Sequence, residues 1–141
     1  MEELLVFAIL FCAGYEVESE YQNRLDEMFL ENPTDEDLLE LEFLSSNIKE
    51  SIIYIKTHVD YNNFNHDIFG KNLMHRLKVC YENTELGWFA KRTYTIWEEL
   101  PGNIQDEEPF LILSYADEPL CWGDEKQTRE LYEHMLNYYN S

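Results

Sequence analysis

The stretch TDEDLLELEFLSSNIKESIIYIKTHV, residues 34–59, decides the fold. Leu38, Leu41, Leu44, Ile48, Ile52, Ile55 and Val59 recur at steps of three and four, which lays them in one stripe along an α-helix. Thr34 can cap the start. Asp35, Glu36 and Asp37 follow in the first turn, where carboxylates complement the positive end of the helix macrodipole.

Towards the N-terminus, Val17, Tyr21, Leu25, Met28 and Phe29 give a second helical period, closed by Asn32 and Pro33. Before it, Leu4 to Ala13 is an apolar run that ends at Gly14. It has no basic n-region and is about half the ~20 residues of a membrane span, so it reads as a buried core helix.

Towards the C-terminus, Asp60 to Asn63 forms a polar turn. Phe64, Ile68, Leu73, Met74, Leu77 and Cys80 then predict a helix whose first half Gly70 and Asn72 weaken. Asn83 or Thr84 can start the next, carrying Leu86, Phe89, Ala90, Ile96, Trp97 and Leu100 up to Pro101 and Gly102. Asp124 with Gln127 resembles a capping box, and Thr128, Leu131, Tyr132, Met135, Tyr138 and Tyr139 predict a terminal helix. The run Phe110 to Tyr115, bracketed by Pro109 and Pro119, reads as a strand or an extended buried segment; one strand alone has no ladder partner, and the Leu-rich, Ala-containing run Leu4 to Phe11 favours helix over pairing with it. The expectation is an all-α fold, a compact bundle of about five or six helices over residues 1–141 in a single domain.

With 45% hydrophobic and 15% aromatic residues the chain has the material for a core, unlike a disordered acidic tail. Its 29 Asp and Glu against 10 Lys and Arg give a net charge of −19. Residues 1–50 hold net −12, residues 51–104 are neutral and residues 105–141 hold −7. Nucleic acid and anionic membranes repel such a body, so neither is expected as a direct partner. Cys12, Cys80 and Cys121 are odd in number and sit beside apolar or aromatic neighbours, which predicts reduced buried thiols and a cytoplasmic protein.

Motifs for catalysis are missing. His58, His66, His75 and His134 form no H-E-x-x-H pattern, the five glycines are isolated, and Asp35 to Asp37 lacks the rest of a calcium loop. No metal or cofactor is expected. His75 with Cys80 comes nearest to a nucleophile and its base, but Val79 and Tyr81 point to packing.

What remains is acidic surface interleaved with aromatics. Three clusters stand out: Glu31, Asp35, Glu36, Asp37 and Glu40; Asp106, Glu107 and Glu108; and Tyr115, Asp117, Glu118, Trp122, Asp124 and Glu125. Taken singly, each acid serves as a solvated helix start or loop residue. Together they form a field of one sign that speeds encounter with a basic protein, with Trp122 and Tyr115 as anchors.

A small helical domain without a catalytic motif, its carboxylates mixed with Tyr and Trp, resembles the immunity proteins of bacterial toxin systems, those of contact-dependent growth inhibition above all. The resemblance lies in overall character and carries over a role without residue assignments. It implies a non-enzymatic protein that binds and neutralises a cognate toxin, a nuclease domain, by covering its active site or nucleic-acid groove. The alternative is a nucleic-acid mimic that inhibits a DNA-binding enzyme such as a restriction system. That would require carboxylates spaced like phosphates along one face.

Overall fold

The computed structural model describes residues 1–58 and 64–140. All regular structure among them is helical, with eight α-helices and two 3₁₀ segments. The all-α expectation holds, and the helix count exceeds the expected five or six. Val59 and the Asp60 to Asn63 turn lie outside the described residues. The chain divides into two compact units, Met1–Asn65 and His66–Ser141.

The first unit contains α1 (Glu2–Cys12), α2 (Glu18–Glu31), α3 (Glu36–Phe43) and α4 (Ile48–His58). Residues Leu4 to Leu10 are all buried, so α1 is covered on every face, as its unbroken apolar run demands. Gly14, at φ 100°, lets the chain turn out of the helix. Its N–H reaches the Phe11 carbonyl at 3.0 Å and the Tyr15 N–H reaches that of Leu10 at 3.1 Å, closing α1 with a Schellman motif. Arg24 on α2 ties back to Glu3 on α1 at 2.9 Å.

The stripe expected to form one helix is cut into α3 and α4 by Leu44–Asn47. Ser45, Ser46 and Asn47 supply the reason, because short polar side chains compete for backbone groups. The Asn47 carboxamide oxygen accepts from Glu50 N–H at 3.2 Å, and the Ser51 hydroxyl donates to the Leu44 and Asn47 carbonyls at 3.1 Å each. Asp35, and not Thr34, caps α3: its carboxylate accepts from the Asp37 and Leu38 N–H groups at 2.9 and 3.2 Å.

The second unit contains α5 (His66–Asn83), α6 (Leu86–Glu99), a 3₁₀ segment at Phe110–Ser114, α7 (Glu118–Cys121), α8 (Glu125–Leu136) and a last 3₁₀ turn at Tyr138–Asn140. Gly70 does not weaken α5. A Cβ there would collide with the ring of Tyr139, so the glycine makes room for a close approach. Neither Asn83 nor Thr84 starts α6, which begins at Leu86; the Thr84 hydroxyl donates instead to the Cys80 carbonyl at 2.6 Å.

The expected extended segment at 110–115 is a 3₁₀ helix. With no strand among the described residues to pair with, its N–H groups bond locally: Leu111 to Glu107 at 2.9 Å and Ile112 to Pro109 at 3.2 Å. Phe110 and Leu113, three apart, are both buried. The core of this unit centres on Tyr132 of α8. Its ring meets Phe89 of α6 edge-on at 4.9 Å, and its hydroxyl lies 2.9 Å from that of Thr93. Asp124 caps α8 through Gln127 N–H at 3.0 Å, and the α-helix stops at Leu136 rather than running to the terminus.

Candidate protein-interaction surfaces

The structure gives the three acidic clusters unequal freedom. In the first, Asp35 is held as a helix cap, and the half-buried Asp37 accepts the Tyr54 hydroxyl at 2.8 Å. That hydrogen bond, with burial and the charges of Asp37, Glu40 and Glu36, pushes the Tyr54 phenol up to about 12. Glu31, Glu36 and Glu40 remain exposed. Sequence reasoning missed their apolar neighbours. Leu30 and Phe43 are 78% and 74% exposed, and Leu39 is exposed as well. Glu36, Leu39, Glu40 and Phe43 follow the helical i, i+3, i+4, i+7 pattern, while Leu38 and Leu41 are buried. The double Leu at 38 and 39 was the available signal, since one helix side cannot bury both.

The second cluster occupies the link between α6 and the 3₁₀ segment. Trp97 and Gln105 lock its start, the indole N–H donating to the Gln105 carbonyl at 3.0 Å and the Gln105 amide to the Trp97 carbonyl at 2.9 Å. Glu107 lies 3.3 Å from the His66 ring. Asp106 and Glu108 are exposed.

The third cluster surrounds the α7–α8 connection. Trp122 is 81% exposed, yet its turn is firmly built. Trp122 and Asp124 N–H groups both donate to the Pro119 carbonyl, at 3.1 and 2.9 Å, and Gly123 N–H donates to that of Leu120 at 3.0 Å. Leu120 N–H in turn donates to the buried Thr128 hydroxyl on α8 at 3.0 Å. Gly123, at φ 84°, supplies the left-handed residue this path needs. Trp88 makes the contrast, because the Arg92 guanidinium covers its ring at 3.5 Å from the centroid. Around Trp122, Glu118 is exposed, Asp117 is half-buried, Asp124 serves as a cap and Glu125 pairs with Arg129 at 3.0 Å. Tyr115 is 38% exposed.

His75 and Cys80 both lie on α5, but five residues apart they project from different sides of the helix. All three cysteines are free thiols; Cys12 and Cys80 are half-buried, whereas Cys121 is exposed at the end of α7, against the expectation of burial. Among the described residues, no three His, Cys, Asp or Glu side chains gather as a metal ion would require, and no helix is long and apolar enough to cross a membrane. No family model, curated protein or solved structure matches the chain.

Proposed function

We propose that this chain is an inhibitor of the immunity type, which binds a basic cognate toxin, a nuclease domain, and occludes its active site or nucleic-acid groove. The observation that carries the reading is Trp122: a large ring left in water on a hydrogen-bonded turn, beside the exposed Glu118. A rigid aromatic anchor loses little entropy on docking and contributes most where a partner desolvates it. In the first unit, Leu30 and Phe43 beside Glu31, Glu36 and Glu40 repeat the same chemistry.

A nuclease must present Lys and Arg to phosphate, so an inhibitor competes for that surface with carboxylates. Charge accelerates the encounter, and the apolar anchors slow dissociation. This reading assigns no reaction to the chain.

The test is capture from lysate of the producing cells on wild type and on Trp122→Ala, at low and at higher salt, followed by nuclease assays of the bound protein. Support is a single basic nuclease silenced at near-equal ratio and lost by Trp122→Ala. Recovery of nothing, or of many DNA-binding proteins released together by modest salt, overturns it and favours a nucleic-acid mimic or unspecific acidity.

A further inference from the structure

Within the second unit, α5 gathers Lys71, Arg76 and Lys78 in eight positions of a chain that is otherwise strongly acidic. Lys71, His75 and Lys78, at steps of four and three, stand in one row along the helix. That row lines an open groove of about 620 Å³, together with Met74, Leu136 and Tyr139. The Tyr139 ring packs against Gly70, which fixes its position beside the groove. Lys78 is held as well: its ammonium donates to Asn137 Oδ1 at 3.0 Å, and Asn137 Nδ2 donates to the Glu133 carbonyl at 2.8 Å. Lys71 and His75 make no hydrogen bond or ion pair among the described residues, so their polar atoms are available to a ligand.

We propose that this groove binds a small amphipathic monoanion, its acidic head against Lys71 and His75 with Lys78 beyond, and a short apolar body over Val79 and Tyr139, the apolar lining that solvent reaches. The charge pattern selects for size. At low ionic strength, where the screening length exceeds the ~8 Å of physiological salt, the net negative field of the whole chain reaches an approaching ligand and turns polyanions away. Close in, a single negative head meets the Lys71 ammonium, with Lys78 adding its charge two turns along the helix. Glu82, one turn past Lys78 in the same groove, opposes a second negative charge and orients the head towards Lys71. A medium-chain carboxylate has the required form. The groove is open to solvent, so affinity is modest, with a Kd of about 0.1–1 mM for a ligand of this size.

The experiment is an NMR titration of the full chain with octanoate, alongside octanol and inorganic phosphate as separate probes. Saturable shifts of α5 amides and of Tyr139 are expected with octanoate, and each other probe should bind at least about tenfold more weakly. Lys71→Gln and His75→Gln should each weaken octanoate by about threefold, whereas Lys126→Gln on α8 should leave it unchanged. Lys71 and His75 are exposed, so their replacement leaves the fold intact, which circular dichroism verifies. The proposal is overturned by absence of saturation up to about 10 mM octanoate, by equal binding of octanol or of phosphate, or by indifference to both substitutions. This inference stands apart from the toxin-binding reading, and neither outcome alters the other.

Discussion

Glu42 gives the first unit a pH-dependent weakness. The carboxylate is half-buried on α3 beside Asp26 of α2, and the Gln22 amide donates to both, at 2.9 Å to Asp26 Oδ1 and 3.1 Å to Glu42 Oε2. Burial first, and then the Asp26 hydrogen bond and charge, raise its pKa from 4.5 to about 7. Because the folded value lies above the unfolded one, the stabilising contribution is full below the unfolded pKa and is lost as pH rises through about 7. The full shift corresponds to about 3 kcal/mol, and partial solvent exposure reduces it to about 1–2 kcal/mol. Glu42→Gln removes the titration and keeps an oxygen for Gln22. It should stabilise the protein by about 1–2 kcal/mol at pH 8 and by nothing measurable near pH 4.5. Urea unfolding of wild type and variant across that range, followed by amide exchange on α2 and α3, measures the difference directly. Comparing the two proteins cancels every contribution they share. A variant no more stable than wild type at pH 8, or one whose advantage persists undiminished at pH 4.5, refutes the reasoning.

Gly70→Ala should destabilise by about 1–3 kcal/mol through collision with the Tyr139 ring, although alanine is worth about 1 kcal/mol more than glycine within a helix. In a Tyr139→Ala background the sign should reverse, and thermal unfolding of the four proteins checks it; stabilisation by Gly70→Ala alone would contradict the packing. Tyr132→Phe should cost about 1–2 kcal/mol, since it strips the buried Thr93 hydroxyl of one partner, and a double-mutant cycle with Thr93→Val should show coupling. Asp35→Ala should cost about 0.5–2 kcal/mol in chemical unfolding, whereas Thr34→Ala should cost almost nothing, because only Asp35 caps α3.

Periodicity made most of this fold legible. The continuous apolar run at 4–10, the Tyr21 and Leu25 pair and the Phe89 and Ile96 pair all declare helices whose cores the structure buries. Periodicity fails at Leu44–Asn47, where the stripe runs on through steps of three and four although the backbone does not. There the signal lay in the polar run Ser45, Ser46 and Asn47 with Ser51, where the Asn47 and Ser51 side chains bond to the backbone independently of hydrophobic spacing. The run at 110–115 misled for a related reason: a short apolar run between two prolines fits a strand, and with no ladder partner among the described residues it takes 3₁₀ geometry. Gly70 read as a helix weakness because its partner, Tyr139, is 69 residues away in sequence. The acidic clusters were visible as clusters, but their apolar companions Leu30, Leu39 and Phe43 resemble ordinary core residues until burial is known.

Burial and hydrogen bonding also decide which carboxylates a partner can use. Asp35 and Asp124 hold helix starts, Asp37 holds Tyr54, and Glu125 is shared with Arg129. Recruiting any of these to a foreign Arg means giving up an internal bond, so the gain is a difference between two similar interactions. Glu31, Glu36, Glu40, Asp106, Glu108 and Glu118 are exposed and make no such bond among the described residues, so their pairing with Lys or Arg loses only water. Pairs of that exposed kind contribute about 0–1 kcal/mol each and are screened by salt, which is too little to hold a toxin tightly. On the proposed immunity reading, tight inhibition would therefore come from apolar groups whose backbone is already ordered when the partner arrives. Trp122 stands on a Pro119-anchored turn, and Leu30 and Phe43 stand on helices with exposed carboxylates beside them, so the backbone beneath all three is in place before docking. Salt should accordingly slow association far more than it speeds dissociation, whereas loss of Trp122 should do the reverse.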